Sequence, residues 1–175
     1  MAKIRTQIMS DTDENLKTAF AGESQANRKY DVYAEKADKE GLPMVGRLFR
    51  AVAAAEAIHA KNHLKALGAV QSTLENLADA KAGEDYEVAD MYPPMIEKAE
   101  AEGEKMAARS MRFAYEVEKV HSELFAQAIA TVKAGGDLAD QPVRICPVCG
   151  HTIIGDAPDR CPVCNVPGDK YIDFV

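Results

Sequence analysis

Between residues 12 and 134 the apolar positions recur at steps of 4 and 3, the spacing that keeps them on one face of an α-helix. A first stripe runs through Leu16, Phe20, Glu23, Asn27, Tyr30, Ala34 and Ala37. A second opens after Pro43, a residue suited to the first turn of a helix, and runs through Val45, Phe49, Val52, Glu56, His59, His63 and Ala66. The last runs through Ala107, Met111, Ala114, Glu118, His121, Phe125, Ala128 and Val132. Between them a less regular helix is expected to start near Ser72, where Ser-Thr-Leu-Glu75 fits a capping box, and to pass Pro93-Pro94 to about Gly103. Four helices of this length predict an all-α four-helix bundle. Gly135-Gly136-Asp137 marks its end, dividing the chain into residues 1–137 and a small domain over 138–175.

The two halves of the helical region repeat one design. Ala21-Gly22-Glu23 recurs as Ala82-Gly83-Glu84, Glu35-Lys36-Ala37 as Glu97-Lys98-Ala99, and Glu56-x-x-His59 as Glu118-x-x-His121. Each half is therefore a helical hairpin, the second carrying one extra residue between Glu84 and Tyr92. That residue lies just before Pro93-Pro94, whose missing N–H groups already interrupt the hydrogen-bond ladder. A π-type wide turn there would return Tyr92 to the register of Tyr30 while re-aiming Glu87.

Glu23, Glu56, His59, Glu84, Glu118 and His121 stand in stripes that should be apolar, where an unpaired carboxylate is costly. Something cationic must offset them. One Glu from each of two helices plus Glu-x-x-His from each of the other two is an arrangement that holds two iron or manganese ions, because residues three apart share a helix face. Tyr30 and Tyr92 lie two turns beyond Glu23 and Glu84, where a buried hydroxyl would contact a ligand carboxylate. His63 has Phe125 as its counterpart in the other half and reads as a histidine at the bundle end. Glu87, one turn after Glu84, is matched by Ala26 and so offers a fifth carboxylate, available to one metal only.

Composition narrows the classes that remain. The chain is 47% hydrophobic and 28% charged, the balance of a globular protein and not of a disordered one. Its longest nearly apolar run, Ala51 to Ile58, contains Glu56 and is far short of a membrane span, so no membrane association is expected. The stretch from Met1 to Glu14 lacks the apolar core of a signal peptide, which predicts a cytoplasmic protein. A net charge of −7 without any basic cluster argues against a nucleic-acid partner. In a reducing compartment the four cysteines read as metal ligands and not as disulfides. Cys146-Pro-Val-Cys149 and Cys161-Pro-Val-Cys164 form two knuckles able to close one tetrahedral site, with zinc and iron both compatible with the spacing. Gly150 and Asn165 follow the knuckles where positive backbone torsions are common.

Together these motifs resemble the rubrerythrins over essentially the whole chain: Ala-Gly-Glu at 21 and 82, Glu-x-x-His at 56 and 118, Glu84-Asp-Tyr-Glu87, Met91-Tyr92-Pro93 and the paired Cys-Pro-Val-Cys. The resemblance implies a ferritin-like diiron bundle followed by a rubredoxin-like domain. It assigns two irons in a carboxylate-bridged site to Glu23, Glu56, His59, Glu84, Glu87, Glu118 and His121. One further iron, for which zinc could substitute, goes to Cys146, Cys149, Cys161 and Cys164. It implies a peroxidase that reduces hydrogen peroxide, with electrons from rubredoxin or an NAD(P)H-linked rubredoxin-type reductase. One iron is expected to exchange a histidine, here His59, for Glu87 as the pair changes oxidation state. A ferroxidase or iron-binding protein and an oxygen-reducing diiron oxidase are the alternatives. Asn165 departs from the glycine usual after a second rubredoxin knuckle.

The link between the hairpins is also short. Gly68 to Ser72 is five residues, reaching at most about 18 Å, whereas a ferritin-like crossover runs the length of helices about 37 Å long. This predicts a homodimer in which hairpins 12–67 and 74–134 are exchanged between chains, the alternative being a single-chain bundle of simple up-down order.

Overall fold

The computed structural model describes residues 10–174; residues 1–9, part of the stretch read as lacking a signal, lie outside the described residues. The chain forms two compact units divided between Gln71 and Ser72. The first unit holds α1 (Asp11–Lys39) and α2 (Pro43–Ala66). Ser10 caps α1 in a reciprocal box with Asp13, and acidic residues in the first turn and lysines in the last suit the helix dipole. Gly41, at φ 77°, ends the helix while the Leu42 N–H bonds back to the Ala37 carbonyl at 2.9 Å, and Pro43 starts α2 as the sequence predicts.

The hairpin closes on small residues. Ala34 and Ala37 of α1 and Gly46, Ala53 and Ala60 of α2 are buried. A Cβ at Gly46 would lie 3.2 Å from the Ala34 carbonyl oxygen and would displace the Asp38 carboxylate, so glycine favours this close approach. Asn27 donates across the hairpin to the Ala53 carbonyl at 2.7 Å, and Arg50 grips Asp38 at 2.8 Å. The buried line of α2 therefore runs Gly46, Ala53, Ala60, beside the stripe expected from the sequence. Within this unit Val45 and His59 of that stripe remain exposed.

The second unit holds α3 (Thr73–Tyr86), a π-turn over Glu87–Met91, α4 (Tyr92–Ala101), α5 (Lys105–Lys133) and three short strands. Ser72 and Glu75 form the expected capping box. The π-turn absorbs the extra residue: the Tyr92 N–H bonds to the Glu87 carbonyl, five residues back, and Pro93-Pro94 fall in the first turn of α4. Glu87 keeps helical torsions (φ −61°, ψ −40°), so its own backbone is not re-aimed; the displacement falls on the residues after it. α5 ends at Gly135 and Gly136, whose N–H groups bond back to Val132 and Thr131.

Strands β1 (Val143–Ile145), β2 (Thr152–Ile154) and β3 (Ile172–Phe174) form an antiparallel sheet in the order β2-β1-β3. So small a sheet buries little, and the fully covered side chains of this region include two cysteines, Cys146 and Cys161. No helix among the described residues is long and apolar enough to cross a membrane.

Candidate metal centres

Each hairpin assembles one Glu, Glu, His group. In the first unit, ligand atoms of Glu23 on α1 and of Glu56 and His59 on α2 lie within 4.8 Å of one another. In the second unit the same holds for Glu84 on α3 and Glu118 and His121 on α5. The i, i+3 spacing does the local work: His59 Nδ1 stands 2.8 Å from Glu56 Oε2, and His121 Nδ1 stands 2.6 Å from Glu118 Oε2 and 3.9 Å from Glu84 Oε2.

The second group carries the signature of crowded negative charge. Burial, the nearby Glu118 carboxylate and a hydrogen bond with it push the Glu84 pKa up, against the pull of His121. Burial and Glu84 do the same to Glu87. Tyr92 is raised by burial and by the charges of Glu87, Glu118 and Glu84. Two carboxylates and an imidazole nitrogen turned inward are relieved by a cation of the hard or borderline class, which is how this donor set fits iron. Glu87 lies near enough to Glu84 to feel its charge but outside the tight group. Tyr30 instead packs its ring 6.1 Å from those of Tyr33 and Phe49.

The four cysteines converge as expected, all four sulfurs lying within 4.8 Å of one another. The pairs Cys146–Cys164 and Cys149–Cys161 are each 3.5 Å apart, close to the roughly 3.8 Å edge of a tetrahedron with metal–sulfur bonds of about 2.3 Å. The knuckles are near copies. Gly150 N–H bonds to the Cys146 carbonyl and Asn165 N–H to the Cys161 carbonyl, each at 2.9 Å, while Gly150 (φ 85°) and Asn165 (φ 62°) take the positive torsions predicted. Burial alone would raise the Cys161 thiol. The Tyr171 hydroxyl and the backbone N–H groups of Cys164 and Val163 overcome it and hold the pKa down at about 6, while burial pushes the Cys149 and Cys164 thiols up, so without a metal the set favours one thiolate among neutral thiols.

Sequence reasoning passed over two residues here. His151 is buried, with Nδ1 2.9 Å from the Tyr171 hydroxyl. Thr152 Oγ1 stands 2.9 Å from His121 Nε2, which places the four-cysteine loop against the second Glu, Glu, His group within one unit. The signal for His151 was its position two residues past Cys149; nothing local marks Thr152.

A family model described as rubrerythrin matches residues 14–129, and one described as the rubredoxin-like domain of rubrerythrin matches residues 144–172. Rubrerythrin-2 of Clostridium acetobutylicum is 38% identical over 177 residues, covering 93% of this chain and 96% of its own. Nigerythrin of Nitratidesulfovibrio vulgaris is 34% identical, covering 99% and 91%. A solved structure of nigerythrin in its fully reduced, all-ferrous state aligns with a TM-score of 0.57 at 32% identity, covering 99% and 92%.

Proposed function

The chain belongs to the rubrerythrin family, and on that footing we propose that it is a non-haem diiron peroxidase that reduces hydrogen peroxide to water. Its fold class is a ferritin-like helical part followed by a rubredoxin-like domain, and its cofactors are a carboxylate-bridged diiron site and a four-thiolate iron. It is an oxidoreductase by family. The observation that carries the peroxidase reading is the pairing of two matched Glu, Glu, His groups with a thiolate site in the same chain. Two metals suit a two-electron reduction, and a one-electron thiolate centre beside them would serve no purpose in iron storage.

When bound, the diiron pair supplies two electrons and Lewis acidity, so the O–O bond of peroxide breaks and two protons taken up complete two waters. In this reading Glu23, Glu56, His59, Glu84, Glu118 and His121 would hold the pair, and Glu87 would be the carboxylate available in exchange for His59. Tyr92, its pKa raised, keeps its proton at neutral pH and can donate a hydrogen bond to a ligand carboxylate. Tyr30 is given the same part in the other half.

Functionally the division falls at residues 1–137 for the diiron part and 138–175 for the electron-transfer part. Electrons come from rubredoxin or an NAD(P)H-linked rubredoxin-type reductase in the cytoplasm, where thiols stay reduced. Val148, exposed beside Cys149, offers an apolar contact for such a donor. The link Leu67 to Ser72 is only six residues, which favours a homodimer with exchanged hairpins.

The test is anaerobic titration of the reduced, iron-loaded protein with hydrogen peroxide. One peroxide should be consumed per diiron pair, and Glu118→Ala or Glu56→Ala should abolish turnover. Wild-type turnover by either variant at full iron occupancy would reject the assignment, and reaction with dioxygen in preference to peroxide would favour the oxidase.

A further inference from the structure

The contact between Thr152 and His121 permits a hydrogen count. A threonine hydroxyl has one proton to give and lone pairs to receive. Thr152 gives that proton to the Gly150 carbonyl, which can only accept, at 3.0 Å. Its oxygen is then an acceptor toward His121 Nε2 at 2.9 Å, so the ring must carry a proton on Nε2. A neutral imidazole has only one N–H. In the neutral, metal-ligating ring Nδ1 then carries no proton, and it is the nitrogen that faces Glu118 at 2.6 Å and Glu84 at 3.9 Å. That leaves the Nδ1 lone pair aimed at the carboxylate face, where a metal would take it.

We propose that Thr152 is a positioning residue that locks His121 in its Nδ1-ligating form and joins the four-cysteine iron to the diiron site through Cys149, the Gly150 carbonyl, the Thr152 hydroxyl and the His121 ring. The proposal rests on the diiron reading above. The route is short in bonding terms: Gly150 is covalently attached to Cys149, and only two hydrogen bonds separate its carbonyl from the imidazole. One electron leaves the reduced four-thiolate iron and arrives at the oxidised pair, so two such transfers restore it. The geometry also distinguishes the two histidines. His121 Nε2 has a partner outside its own helix in Thr152, while His59 Nδ1 stands beside Glu56 of its own helix. The bridge belongs to this chain's own β2, where Thr152 pairs with Ile145 of β1.

Thr152→Val keeps the shape and β-branching that suit the strand while removing the hydroxyl, and Thr152→Ser keeps the hydroxyl. Both are to be studied as iron-loaded full chains. The exchangeable Nε2 proton of His121 is followed by NMR in the reduced state. Transfer is timed after oxidising the diiron pair with ferricyanide and reducing the four-cysteine iron by flash photolysis. Expected for Thr152→Val are rapid solvent exchange of that proton and transfer slowed about 10-fold or more, on the order of the loss in affinity or activity when a ligand histidine loses its partner. The four-cysteine midpoint potential should stay unchanged, and Thr152→Ser should restore both readouts. Transfer within about twofold of wild type in Thr152→Val, an unchanged Nε2 proton, or failure of serine to restore would each overturn the proposal. Because ferricyanide replaces peroxide in this test, a protein inert to peroxide would sink the peroxidase reading and still leave the role of Thr152 decided.

Discussion

Lengthening the link between the hairpins should convert an exchanged dimer into a chain that builds its own diiron site. The link is Leu67 to Ser72, six residues, and reaches at most about 21 Å fully extended. α2, with 24 residues, is about 36 Å long at 1.5 Å per residue, and a ferritin-like crossover must travel that length. Inserting 20 glycine and serine residues after Gly68 gives a 26-residue tether. Its reach exceeds 80 Å and its root-mean-square span is about 28 Å, so the crossing becomes easy at little entropic cost. The assay is co-refolding of a Glu56→Ala chain with a Glu118→Ala chain. With the native link, random pairing makes about half the dimers mixed, and each mixed dimer has one intact and one doubly damaged site. Peroxide turnover should therefore recover to about a quarter of wild type. With the long link, recovery should fall sharply and light scattering should show monomers. If the native-link mixture stays inactive despite confirmed mixed dimers, or the long link leaves complementation unchanged, the reasoning from length is wrong.

Asn165→Ala should speed loss of metal to a chelator several-fold, because alanine at φ 62° costs about 1 kcal/mol, whereas Asn165→Gly should retain metal at least as well as wild type. Ser72→Ala removes the capping box of α3 and should lower the melting temperature by about 2–4 °C in circular dichroism, the equivalent of about 1 kcal/mol in a chain of this size. In the metal-free chain Glu87 has its folded pKa raised above 4.5, so the stability it contributes is full below the unfolded value and is lost as pH rises through the folded one. Glu87→Gln should therefore raise the melting temperature at pH 7, with the gain shrinking as the pH falls toward 4.5. Stripping the thiolate site with a strong chelator should unfold residues 143–174, seen as loss of amide dispersion there, while α1 and α2 keep their helical signal.

Much of this molecule was legible in contiguous residues. Helix starts at Pro43 and at Ser72, the end of α5 at Gly135, and the positive torsions of Gly150 and Asn165 follow from backbone rules that act over a few positions. The two Glu, Glu, His groups were legible because i, i+3 spacing is a property of the helix itself, and the four-cysteine site because each knuckle closes on its own carbonyls. The π-turn was legible as one residue too many before two prolines, yet the sequence placed its effect on Glu87, and the backbone put it on the residues that follow. What only tertiary structure decided is which faces meet. The line Gly46, Ala53, Ala60 won the close approach to α1 over the neighbouring apolar stripe, because backbone proximity favours the smallest side chains. The hydroxyl of Thr152 reached a histidine 31 positions away through the docking of a three-residue strand on α5. Periodicity cannot report such a contact: it depends on where two rigid elements come to rest, and neither contains the other's address.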